Sequence, residues 1–111
     1  MKTVSFPIDD YAIELYAVDR KGKRKRWGNR IIRLCSGGTE VAQAVFSKDE
    51  KEIFEPYHEG NQIHYFAPVS QYPAVLDLLR NEKSVHIAWK PILDPKESRD
   101  GDAYFVTGKV E

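Results

Sequence analysis

The chain has 111 residues, of which 41% are hydrophobic and 31% charged, with a formal net charge of zero. That length fits a single domain, residues 1–111, whose core needs no disulfide or metal staple. A neutral total argues against a general polyanion binder, and no apolar run is long enough to cross a membrane as a helix.

The N-terminal "MKTVSFPIDDY" lacks the apolar run of a signal peptide, because Asp9 and Asp10 interrupt it. Within it, "TVSFPI" is read as an extension of the first strand. "YAIELYAV", Tyr11 to Val18, alternates: Tyr11, Ile13, Leu15 and Ala17 share one face, and Ala12, Glu14, Tyr16 and Val18 the other. This is the pattern of a half-buried strand. "RIIRLCS" is a second strand, with Gly22 placed for a tight turn between the two. "SGGT" is a second turn, and "EVAQAVFS" a third strand folded back on the second. Residues 48–60 are charged and contain Pro56, and they read as a surface loop. "NQIHYFAPV" is a fourth strand.

"SQYPAVLDLLRNEK" carries the one helix, about 71–81, with Ser70 as its cap and Pro73 in its first turn. Val75, Leu76, Leu78 and Leu79 fall on about half its circumference, and Leu76 and Leu79 are expected against the sheet. "SVHIAWKPIL" and "AYFVTGKV" are the last two strands, separated by the polar turn "DPKESRDGD".

The order predicts an α+β, mostly β domain of about six strands, with one helix before the last two. Consecutive strands joined by tight turns are expected to be antiparallel. Two architectures fit: a hairpin-rich antiparallel sheet, or a small OB-like barrel plugged by the helix, although an OB barrel has one strand fewer.

Charge is unevenly placed along the chain. Residues 20–33 carry eight basic side chains and no acidic one: Arg20, Lys21, Lys23, Arg24, Lys25, Arg26, Arg30 and Arg33. Residues 48–59 are mainly acidic. The turn decides the role of Trp27. A two-residue Lys21-Gly22 loop puts Tyr16 opposite Trp27 on the outer face, as a platform on which unpaired bases stack. A three-residue Arg20-Lys21-Gly22 loop puts Leu15 opposite Trp27 and makes Trp27 core. The bland reading of the same run is a solvated hairpin tip that discourages edge pairing.

Other candidate chemistry is thin. Glu55 and His58 form one E-x-x-H pair in a loop, which reads as a solvated acidic stretch rather than a metal site. His64 and His86 lie on the less apolar sides of their strands, without an obvious third ligand, and are expected to be exposed or hydrogen-bonded. Tyr65 shares a face with Ile63, and Trp89 with Val85 and Ile87, as core residues. Cys35, the single cysteine, cannot form an internal disulfide and reads as a small apolar thiol, which fits a reducing, cytoplasmic compartment. No catalytic grouping is assignable from spacing.

The expected function is therefore non-enzymatic and without a cofactor: binding of single-stranded DNA or RNA in preference to duplex. Arg20, Lys21, Lys23, Arg24, Lys25, Arg26, Arg30 and Arg33 would supply the cationic surface, and Trp27 and Tyr16 would stack. The alternative is a protein-interaction module, an adaptor, inhibitor or homodimer, docking its basic hairpin on an acidic partner.

Overall fold

A computed structural model describes residues 3–16, 30–48, 53, 55–91 and 101–108. Among them are eight strands and one α-helix: β1 (Val4–Pro7), β2 (Asp10–Leu15), β3 (Arg30–Ser36), β4 (Thr39–Ser47), β5 (Tyr57–Glu59), β6 (Gln62–Pro68), α1 (Tyr72–Asn81), β7 (Val85–Pro91) and β8 (Gly101–Thr107). They form a three-stranded sheet, β1-β7-β8, and a five-stranded sheet, β2-β3-β4-β6-β5. The domain is mostly β, with one helix, as the hydrophobic pattern predicts. Neither sheet closes on itself, so the described strands build two open sheets and do not confirm a closed OB-like barrel.

Two of the eight strands were not expected, and each has a local cause. "TVSFPI" does not extend the first strand, because the chain changes sheets at Ile8 and Asp9. The Ile8 N–H donates to the Val85 carbonyl at 2.9 Å, and the next N–H, of Asp9, donates to the Cys35 carbonyl at 3.1 Å. Successive backbone groups thus bond to different sheets, and β1 pairs with β7 instead. Asp9 fixes this corner again through its carboxylate, which accepts the Gly37 N–H at 2.7 Å. Gly37 and Gly38 form the expected hairpin turn, with φ of 60° and 83°. Two successive left-handed residues suit a two-residue hairpin, and glycine adopts that conformation without steric cost.

The second addition is β5, inside the stretch expected to be loop. It pairs antiparallel with β6, whose other neighbour, β4, runs parallel to it. This pair departs from the antiparallel rule because β6 is reached through β5 rather than through a tight turn from β4.

The two sheets share one core. Ile32 and Leu34 of β3, Ala42, Ala44 and Phe46 of β4, and Ile63 and Ala67 of β6 meet Ile87 and Trp89 of β7. Trp89 is core, as its alternation predicts, and Tyr65 packs partly buried against it. Val45 and Phe66 are buried on the opposite face of the large sheet, so β4 is covered on both sides.

A short 3-10 turn, Val69–Gln71, leads into α1, and Pro73 falls in the first helical turn as expected. Ser70 is not the cap: Gln71 occupies that position, without a side-chain capping bond. The helix buries Val75, while Tyr72 and Leu79 pack partly on the core and Leu76 is half-buried outside it. Leu76 was expected inside. The ten-residue helix sets only Tyr72, Val75 and Leu79 against the core, a narrower stripe than its apolar half offers.

Candidate nucleic-acid interface

The basic run lies between two strands that pair directly. β2 and β3 are antiparallel, with Tyr11 opposite Leu34, Ile13 opposite Ile32, and Leu15 opposite Arg30 as the last pair. Either tight turn considered above would instead put Leu15 opposite Gly28 or Trp27, so neither register holds along the described pairing. The observed register sets Ile13 on Ile32 and Tyr11 on Leu34, apolar residue on apolar residue, whereas the two-residue turn would set Ile13 on Arg30. Arg20, Lys21, Lys23, Arg24, Lys25, Arg26 and Trp27 lie outside the described residues. Their strands do not: the basic connection leaves β2, an edge strand of the large sheet, and returns in β3, its neighbour.

Arg30 closes the base of this connection. It stands on β3 between Leu15 and Phe46 in one cross-strand row. Its guanidinium carbon lies 4.9 Å from the centroid of the Tyr72 ring, in the first turn of α1. Phe46 meets the same ring edge-on, at 5.3 Å between centroids and 81°. Arg30 is therefore half-buried and oriented by a ring that is itself packed. Beside it, Leu15 is 66% exposed.

Arg33, three residues on, belongs to the opposite face and serves a different purpose. Its Nε donates to Glu14, and its Nη1 donates to Glu40 at 3.0 Å. The Tyr16 hydroxyl donates to the other oxygen of Glu14. Gln62 donates to Glu40 at 2.7 Å, and Gln43 reaches the same carboxylate at 3.4 Å. One polar network thus crosses β2, β3, β4 and β6. The hydrogen bonds from Tyr16 and Arg33 hold the Glu14 carboxyl below its ordinary pKa. Burial pushes Glu40 the other way, but bonds from Arg33, Gln43 and Gln62 outweigh it and leave Glu40 lowered too. The two carboxylates in turn raise the pKa of Arg33.

The expected site is thus divided. Arg30 stands at the mouth of the basic connection, whereas Arg33 is paired inside an ion network. Tyr16 does share the Glu14 face, as the alternation predicts, but its hydroxyl is engaged there. The partners that decide these roles, Glu14, Glu40 and Tyr72, were not read as site residues. A lone carboxylate on β2 and a lone arginine on the matching face of β3 were the available signal, but it needed the correct register. Tyr72 lies too far along the chain for any local pattern to link it to Arg30.

The histidines are half-buried rather than exposed, and each has one ring nitrogen without a hydrogen-bond partner. His58 Nε2, His64 Nδ1 and His86 Nδ1 are buried without a hydrogen-bond partner among the described residues. His64 and His86 stand in different sheets. Cys35 is a free, half-buried thiol beside a register shift in β3. Among the described residues, no three His, Cys, Asp or Glu side chains are grouped to hold a metal ion, and no helix is long and apolar enough to cross a membrane.

In comparisons with known proteins, no family model matches the chain, and neither a curated protein nor a solved structure matches it.

Proposed function

We propose that this domain binds single-stranded DNA or RNA, without catalysis or cofactor, through the basic connection between β2 and β3. The observation that carries the reading is the Leu15–Arg30 pair. It brings the two ends of the connection together at the end of the β2–β3 pair, from which Arg20, Lys21, Lys23, Arg24, Lys25 and Arg26 would reach one ligand. Such a cluster attracts phosphates within about 10 Å at ordinary salt, whatever the total charge of the protein. Arg30 adds a cation already oriented by Tyr72. Trp27 would supply the ring on which bases stack, a contact that tolerates any sequence. Arg33 is left out of the phosphate set, because Glu14 and Glu40 neutralise it.

A second reading is a protein-interaction module that docks the same cations on an acidic partner. It is favoured by an open groove of about 300 Å³ between α1 and β8, mainly apolar, lined by residues that include Val75, Leu78, Ala103, Tyr104 and Phe105. Fluorescence anisotropy against labelled single-stranded DNA, RNA and duplex DNA separates the two. Binding that needs no second protein, prefers single strands and weakens steeply with salt supports the first reading. No binding to any nucleic acid at low salt rejects it.

A further inference from the structure

β5 is three residues long and forms the edge of the large sheet. Two of its contacts involve histidines that lack a hydrogen-bond partner at one ring nitrogen. Tyr57 stacks on His64 of β6, with centroids 4.3 Å apart and the rings inclined by 16°. His58, on the other face, stands opposite Ile63 and lies 6.2 Å from the Trp89 ring. His58 Nε2 and His64 Nδ1 are both buried, with no partner among the described residues.

A neutral imidazole tolerates that surrounding. A protonated one places a second N–H, and a charge, at a buried nitrogen that no described group accepts a hydrogen bond from. We propose that β5 is an acid-released strap, docked on β6 while His58 and His64 are neutral and detached when they take up protons. Release would bare the β6 edge, whose N–H and C=O groups are then free to pair with another strand.

The surroundings of each ring determine the sign. On the His58 side stand Ile63 of β6 and Trp89 of β7. The inward residues of β8 are Ala103 and Phe105, while Asp102 is exposed and pairs with Lys90 on the opposite face. Burial alone lowers the His58 pKa. His64 faces Tyr57 and Glu59 of β5, Gln43 of β4, and Gln62 and Phe66 of its own strand. Burial lowers its pKa; Glu59 and Glu40 oppose that and His58 adds to it, and the net direction is down. Arg33, in the same row, is two strands away at about 10 Å and is held by its carboxylates. With both folded-state values depressed, docking is strongest above the ordinary histidine pKa of 6.5. It is lost as pH falls through the folded values. Glu14 and Glu40, held below 4.5, stay ionised over the upper part of that range.

Amide hydrogen exchange of the full chain at about pH 7.5 and about pH 5, corrected for intrinsic rates, reads the release directly. The β5–β6 amides should lose protection on acidification, by a factor that grows with the gap between the released and docked histidine pKa values. The β3–β4 amides should not change. The double variant His58→Phe, His64→Phe should keep β5 docked at the lower pH. Unchanged wild-type protection overturns the proposal, as does an equal acid loss in the double variant. If that variant does not fold, NMR titration of the wild-type imidazoles decides. Both rings must titrate below 6.5, in step with the exchange, and either one titrating at or above that value overturns the proposal.

Discussion

Arg30 and Arg33 stand on the same strand, three residues apart, and point to opposite faces of the sheet with opposite fates. Arg30 lies over the Tyr72 ring at the mouth of the basic connection. Arg33 is fixed between Glu14 and Glu40. An odd spacing in a strand reverses the face, so two cations that look alike in sequence have different partners.

The first prediction follows from that contrast. Arg30→Ala should weaken binding to single-stranded nucleic acid and reduce the slope of log affinity against log salt by ~0.7, the loss of one phosphate contact. Arg33→Met should leave the slope unchanged. Anisotropy titrations at several salt concentrations check both. An equal fall in slope for the two variants would place Arg33 in the interface and contradict its assignment to the ion network.

Arg33→Met should act on stability instead. Partly exposed ion pairs contribute ~0.2–1 kcal/mol each, so losing both costs little near neutrality. The pH profile is more informative. The Glu14 and Glu40 pKa values are lowered in the folded state, so their contribution is complete above about 4.5 and is lost as pH falls through the folded values. Urea unfolding at about pH 7 and about pH 3 should show a smaller acid loss in the variant than in the wild type. Equal losses would mean that Arg33 does not hold the two carboxylates down.

The parts of the fold that follow a local rule were legible in sequence. β3 was read to its correct ends because its apolar alternation is regular and "SGGT" marks the turn. The helix was found from Pro73 and its apolar stripe. β5 was hidden because three residues beside a proline carry too little periodicity, and its pairing rests on stacking with His64. The break between β1 and β2 depends on hydrogen bonds from Ile8 and Asp9 to strands far along the chain. The β2–β3 register was misjudged because Gly22 was taken to set the turn, whereas the matching of Ile13 with Ile32 and Tyr11 with Leu34 sets the pairing. The charge run was plain from the sequence; that Arg33 of β3 is paired with Glu14 and Glu40 became visible only from the fold.

Gly101 makes a prediction about packing. It opens β8 opposite Pro91, beside the buried indole of Trp89. A Cβ built there would collide with the Trp89 ring and lie 2.7 Å from the Lys90 carbonyl oxygen. Gly101→Ala should therefore cost ~1–3 kcal/mol, the usual range for overpacking. Thermal unfolding of the variant checks it. An unchanged midpoint would show that Trp89 moves aside without cost.

Trp27→Ala separates stacking from phosphate contact. It should cost ~1–3 kcal/mol of affinity for single strands with little change in salt slope. Stability should hold nearly constant if the ring serves the ligand. An unfolded variant would assign Trp27 to packing and remove it from the interface.

The central claim, that the basic connection grips a nucleic-acid backbone, is tested most directly by the salt dependence of binding in the wild type and in the Lys23→Ala, Lys25→Ala variant. With four cations in contact, the wild-type slope for single strands should be about −3, at ~0.7 per contact. The double substitution should flatten it by roughly 1.4 and weaken all sequences alike, because phosphates carry no sequence information. A wild type with no salt-sensitive binding, or a variant with the wild-type slope, would contradict the claim.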